Sequence, residues 1–210
     1  MRNLRYSLCA VVVALSLSPA NIAVISAADD FFGPRIGGNG GGRWIDRCPP
    51  GQFVVGLAGR AGLWVDAMGI ICAAWNPSTQ ILGGPIVHQF HGGTGGAQTT
   101  VMCPSNSIVS GWEIRPTRSD EQMVEYVAPE CRGPLPPRDV VRVGRIQFGQ
   151  KAGPPSSGAF RQEEVWYGCP PNQLVVGIHG ASGAYLDRVG LVCGDAPVRI
   201  LRPLGKQRNP

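Results

Sequence analysis

The chain has 210 residues, which is enough to bury the core of one ordinary domain. Thirty glycines and nineteen prolines, without a sustained 3.6-residue hydrophobic repeat, exclude an architecture of long helices. The formal net charge of +5, which falls to +3 without Arg2 and Arg5, is too small to require nucleic acid as a partner.

The first segment has the features of a secretory signal peptide. Its two arginines precede an apolar stretch over residues 8–17, and Ser26 and Ala28 are the small residues expected before a cleavage site. Pro19 interrupts the stretch well short of the roughly 20 apolar residues that a membrane span needs. We therefore predict that residues 1–28 are removed, that the mature protein has no stable membrane insertion, and that it is secreted, periplasmic or extracellular.

Two segments of the mature chain repeat one another. "CPPGQFVVGLAGRAGLWVDAMGIIC" (48–72) and "CPPNQLVVGIHGASGAYLDRVGLVC" (169–193) have equal length and match at 12 of 25 positions. A third copy (103–131) keeps the opening Cys-Pro but carries four extra residues, and Glu125 takes the place of the aspartate. The spacing predicts three repeats. Their approximate bounds are 31–85, 86–145 and 146–203, within one domain over 29–203 and before a basic tail over 204–210.

Short apolar runs within each repeat predict β-strands. They are rich in Val, Ile and aromatic residues and are bounded by Gly and Pro. A single repeat is too small to bury its apolar face alone, so the three should share one core. The fold class predicted is all-β, with pseudo-threefold symmetry.

The cysteines predict disulfide bonds. One of the seven, Cys9, lies in the signal peptide, and the other six are an even set in an exported chain. A metal site is disfavoured because no close Cys-x-x-Cys pair exists. Fifteen pairings are possible, and the simplest lies within the repeats. It joins Cys48 to Cys72, Cys103 to Cys131 and Cys169 to Cys193.

Two repeats place a carboxylate inside an apolar strand-like run, four residues after a glycine. Gly62 precedes Asp66, and Gly183 precedes Asp187. A carboxylate can accept two sugar hydroxyls through charge-assisted hydrogen bonds, and glycine lets backbone N–H groups approach a ligand closely. An aromatic residue stands two positions before each aspartate and could cover the apolar face of a sugar ring.

These strings, with the glycine clusters "GGNGG" (37–41) and "GGTGG" (92–96), resemble the signature of jacalin-related lectins. The resemblance implies the β-prism I fold, with three Greek-key sheets. The paired cysteines are similar to those of vitelline membrane outer layer proteins, which are also three-sheet prisms.

The resemblance also implies how two sugar sites would be built. Each aspartate loop would meet the glycine cluster of the next repeat in an open notch: Asp66 with 92–96, and Asp187 with 37–41. The implied sugar-binding residues are Gly37, Gly38, Gly40, Gly41, Gly62, Trp64, Val65, Asp66, Gly92, Gly93, Gly95, Gly96, Gly183, Tyr185, Leu186 and Asp187. Glu125 would face the degraded "GPPSSG" (153–158), so loss of one site of three would explain both changes.

The sequence gives little support for an enzymatic function. His88 and His91, if on a strand, would point to opposite faces, with no carboxylate nearby to complete a metal site. His179 is expected to be a packing residue, and Ser182 lacks the spacing of a nucleophile elbow. Adjacent Glu163 and Glu164 cannot flank one glycosidic bond from a strand. We predict no catalysis, cofactor or metal.

Two functions remain open. One is a lectin for mannose- or glucose-type glycans or polysaccharide. The other is a disulfide-stabilised structural or envelope protein of the vitelline membrane outer layer type, in which the aspartates only cap turns.

Overall fold

The computed structural model describes residues 30–76, 78–79, 81–116, 123–133 and 165–195. The predicted signal peptide, the "GPPSSG" segment, Glu163, Glu164 and the basic tail lie outside these residues. All regular elements in the described part are β-strands, which confirms the all-β prediction. The strands are β1 (Phe31–Phe32), β2 (Ile36–Gly37), β3 (Gly42–Arg47), β4 (Gln52–Ala61), β5 (Val65–Asn76), β6 (Ile81–Leu82), β7 (Ile86–Val87), β8 (His91–Gly92), β9 (Ala97–Met102), β10 (Ile108–Pro116), β11 (Val124–Arg132), β12 (Val165–Gly168), β13 (Gln173–Ser182) and β14 (Leu186–Asp195). No helix among the described residues could cross a membrane.

The strands form three antiparallel sheets, each centred on one long hairpin. The first sheet has the order β6-β5-β4-β9, with β7 and β8 also paired to β5. The middle sheet has the order β11-β10-β12, and the third has β1-β14-β13-β3, with β2 paired to β14. In the first sheet β9 returns to lie beside β4, which is a Greek-key connection.

The sheets are offset from the sequence repeats. Each outer sheet combines a cysteine-bounded hairpin with a glycine-cluster segment that stands outside it in the sequence. In the third sheet the amino-terminal strands β1–β3 pair with the carboxy-terminal hairpin β13–β14 and close the ring. The glycine cluster 92–96 therefore lies between strands of the sheet that contains Asp66, and the cluster 37–41 lies between strands of the sheet that contains Asp187.

The three predicted disulfides are present. They join Cys48 to Cys72, Cys103 to Cys131 and Cys169 to Cys193, and each holds its two Cα atoms 5.6 Å apart. Each bridge restricts a loop of roughly 25 residues in the unfolded chain, which the chain-entropy model values at about 3.5 kcal/mol.

One apolar core fills the space between the sheets. Leu57, Met68, Trp112, Ile178 and Leu191, contributed by all three sheets, are almost completely buried in it. A shared core follows from the repeat pattern, because no single sheet has a partner for its apolar face.

A β-bulge recurs at the same point of every hairpin. In the first sheet Arg60 pairs with Ala67 and Ala61 pairs with Val65, so Asp66 has no partner across the ladder. Asp187 is skipped in the same way in the third sheet, and Glu125 in the middle sheet. A bulged residue is turned out of the regular alternation of the strand. This is how an acidic residue fits within an otherwise apolar run.

Candidate functional site

The Asp66 carboxylate lies against the glycine loop 92–96. A Cβ atom added at Gly95 would collide with Oδ1, and one added at Gly96 would collide with Oδ2. Gly96 also has a φ of 59°, in the left-handed region that favours glycine. Only glycines allow the loop to approach this carboxylate so closely.

Asp187 meets the glycine loop 37–41 in the same way. A Cβ atom added at Gly40 would collide with its Oδ1, and Gly41 has a φ of 72°. The structure therefore brings together the two pairs of loops expected from the sequence. Asp66 is only 6% exposed, whereas Asp187 is half-buried. The Asp66 carboxylate is therefore less accessible than the open notch expected for it.

Both carboxylates have unused hydrogen-bonding capacity. Among the described residues, none donates a hydrogen bond to the side chain of Asp66 or Asp187. A turn-capping aspartate would accept backbone N–H groups at this position. Two fixed acceptors beside exposed glycine backbone are suited to a ligand rich in hydroxyl groups.

An arginine holds each glycine loop in place. Arg60 donates from Nε to the carbonyl of Gly95 and from Nη2 to that of Gly96, both at 2.6 Å. Arg188 donates from Nη1 to the carbonyl of Gly38 at 3.2 Å and lies 3.3 Å from Asn39 Oδ1. The two arginines come from different strands of the hairpin, so the repeat alignment does not reveal their shared role.

The carboxylate of the middle repeat forms an ion pair. Arg115, at the register position of Arg60, places Nη1 3.5 Å from Glu125 Oε1, and both side chains are nearly buried. Glutamate is one methylene longer than aspartate, and its carboxylate is already paired with the guanidinium. The segment expected opposite Glu125 lies outside the described residues.

The two notches are neighbours at one end of the molecule. The rings of Trp64 and Tyr185 contact each other edge to face, with centroids 5.6 Å apart. A Cβ atom added at Gly93 would collide with the carbonyl oxygen of Ala184, so the first glycine loop also touches the third-sheet turn. The aromatic side chains were expected each to cover a sugar, but each also supports the other loop.

Several backbone donors near the notches already have partners. The N–H of Gly62 donates to Trp64 O at 2.9 Å, and that of Gly183 donates to Tyr185 O at 3.0 Å. Gly38 and Gly93 donate to the backbone carbonyls of Asp187 and Asp66. These four N–H groups serve the turns. Val65 and Leu186 have fully buried side chains, so only their backbone could face a ligand.

The expectation for His88 and His91 is wrong. Residues 88–90 leave the strand between β7 and β8, and a carboxylate is close to both rings. His88 Nδ1 lies 2.9 Å from Asp46 Oδ1, and His91 Nε2 lies 3.7 Å from Asp46 Oδ2, while Trp44 stacks on His91 at 4.2 Å. This polar cluster links the third sheet to the first. No group of three or more His, Cys, Asp or Glu in the described ranges is arranged to hold a metal ion.

His179 is a packing residue, as expected. It is buried, its Nε2 lies 2.9 Å from the carbonyl of Gly33, and Phe32 contacts its ring. Burial lowers the pKa of His179, and the charge of Arg35 lowers it further, against the opposing effect of the Gly33 hydrogen bond. These effects favour the neutral form of His179.

Several lectins are among the solved structures that superpose on this chain. Malaysian banana lectin superposes with a TM-score of 0.54 and 17% identity, over 80% of this chain and 100% of that one. The fold is that of the jacalin-related lectins. Jacalin itself gives a TM-score of 0.53 with 12% identity over 80% of this chain and 97% of that one, and artocarpin, solved with mannotriose, gives 0.51 with 14% over 79% and 98%. At these identities the likeness concerns the fold, and it confirms the β-prism I prediction. No protein-family model and no curated protein sequence matches the chain.

Proposed function

We propose that the chain is an exported, non-enzymatic carbohydrate-binding protein with two sugar sites, one at Asp66 and one at Asp187. The observation that carries the proposal is the bulged carboxylate facing a glycine loop, present twice. Adjacent sugar hydroxyls would donate to the carboxylate, and the glycines leave room for the sugar ring to approach the backbone. The middle repeat, with Glu125 paired to Arg115, would not bind.

Mannose- or glucose-type glycans are the proposed ligand class. Artocarpin was solved with mannotriose and the Calystegia sepium lectin with a biantennary N-glycan, and both share this fold. Sequence features outside the described residues, with three disulfides inside them, support export.

A glycan array with matched variants tests the proposal. Wild type should bind mannose- or glucose-type glycans, and Asp66→Asn and Asp187→Asn should each weaken binding, with the double variant inactive. Each change should cost about 10- to 100-fold at its own notch, because a hydrogen bond to a charged group contributes roughly 1.5–3 kcal/mol.

Glu125→Gln is the control, since it alters the equivalent carboxylate of the middle repeat. It should leave glycan binding unchanged. Binding retained by the folded double aspartate variant, or no glycan bound by wild type, would refute the proposal and leave a structural role as the better account.

A further inference from the structure

A groove of about 600 Å³ lies on the third sheet beside the Asp187 notch. Ile45, 57% exposed, and Phe32 give it an apolar surface, and His179 lies at its base. Among the described residues, the lining is Phe32, Arg35, Arg43, Trp44, Ile45 and His179.

The groove is positively charged and has no acidic side chain in its lining. Arg35 and Arg43 are exposed, and among the described residues neither forms an ion pair or a side-chain hydrogen bond. Arg47, which contacts Phe32 just outside the groove, is already paired with Asp30. Two guanidinium groups without a partner in the described part of the chain therefore line one partly apolar groove.

The two arginines flank the glycine loop of the Asp187 notch in the chain. Arg35 stands two residues before Gly37, and Arg43 stands two residues after Gly41. A sugar held at Asp187 would thus have the groove next to it, within reach of a neighbouring residue of the same glycan.

The first sheet has the same framework without the charge. By strand register, Phe32 corresponds to Val87, since their partners Val192 and Ile71 occupy the same place in their hairpins. Arg43 pairs with Ala181 as Gln98 pairs with Arg60. Counting along the chain, Arg35 corresponds to Phe90. The Asp66 notch is therefore flanked by neutral side chains at all three positions.

We propose that the groove binds the anionic group of an acidic glycan, a carboxylate or a sulfate, so that the two notches differ in ligand preference. The inference rests on the proposed function, because the sugar at Asp187 positions the acidic residue. Guanidinium groups bind such anions through paired, charge-assisted hydrogen bonds.

The experiment uses the full mature chain with Asp66→Asn, so that only the Asp187 notch reports. Calorimetric titration compares a neutral manno-oligosaccharide, a mannuronate oligosaccharide and a sulfated manno-oligosaccharide of equal length. At least one acidic ligand should bind roughly tenfold tighter than the neutral one at low salt. This difference in affinity should shrink near 1 M salt, where the Debye screening length falls to about 3 Å.

The double variant Arg35→Gln/Arg43→Gln should lose this preference and keep its affinity for the neutral ligand. Lys206→Gln/Arg208→Gln, which removes the same charge from the basic tail, is the control and should keep the preference. If the neutral ligand binds without any preference for an acidic one, or if the preference survives loss of Arg35 and Arg43, the groove does not bind the anionic group. The proposed function is left standing in both cases. Absence of all binding refutes both, and arginine-dependent acidic binding that ignores Asp187→Asn refutes the sugar notch and its role in positioning the acidic residue.

Discussion

Individual arginines hydrogen-bond to the backbone of the two glycine loops. The two hydrogen bonds from Arg60 fix the carbonyls of Gly95 and Gly96, and so hold the loop backbone against Asp66. Arg188 performs this task at the other loop through Gly38. In the middle repeat the corresponding guanidinium is drawn to Glu125 instead.

We therefore expect Arg60→Gln to weaken glycan binding at the Asp66 notch only. Loss of a charged donor should cost about tenfold in affinity, since each such hydrogen bond contributes roughly 1.5–3 kcal/mol and the loop retains part of its order. Calorimetric titration of Arg60→Gln in the Asp187→Asn background measures this notch alone, and Arg60→Lys should restore part of the affinity.

Arg188→Gln is the matched variant and should affect the Asp187 notch instead. If either change weakened glycan binding equally at both notches, with an unaltered melting temperature, the arginines would act on the whole protein rather than on one loop.

At the scale of elements, the glycine loops are expected to tolerate no side chain beside the carboxylates. Gly40 has no left-handed φ, so Gly40→Ala adds only a methyl group, and that group would collide with Asp187 Oδ1. Displacing the carboxylate should abolish binding at this notch, while the stability change stays within about 1–3 kcal/mol. Gly84→Ala, with no atom within 4 Å of the added carbon, is the control for titration and thermal unfolding. Unchanged affinity in Gly40→Ala would contradict the assigned geometry.

The sequence predicts elements better than contacts between them. The strands of the first and third hairpins follow from the matching of 48–72 with 169–193, because the same spacing of apolar residues and glycines recurs in both, and the disulfides follow the simplest pairing of the cysteines. The facing of Asp66 and Gly95 was implied by the lectin resemblance.

Other features depend on tertiary contacts that the sequence does not display. Arg60 reaches a loop 35 residues away, and Asp46 approaches His88 from another sheet, 42 residues earlier in the chain. The interpretation of His88 and His91 failed because it assumed a continuous strand, whereas the chain leaves the ladder between β7 and β8.

At the scale of the whole molecule, the prism brings both notches to one end. The Trp64–Tyr185 contact sets them side by side, so one chain would present two sugar sites to the same surface. Weak individual sites could then bind a glycan-coated surface tightly through avidity. Because Glu125 of the middle repeat is paired with Arg115, the proposed function places two sugar sites, and not three, on the chain.

The number of sugar sites per folded chain is the decisive measurement for the two proposed notches. Titration of the wild-type mature protein with a mannose-type monosaccharide, followed by calorimetry, should give two sites per chain. No heat with any monosaccharide, or three sites per chain, would contradict the proposal of two sugar sites.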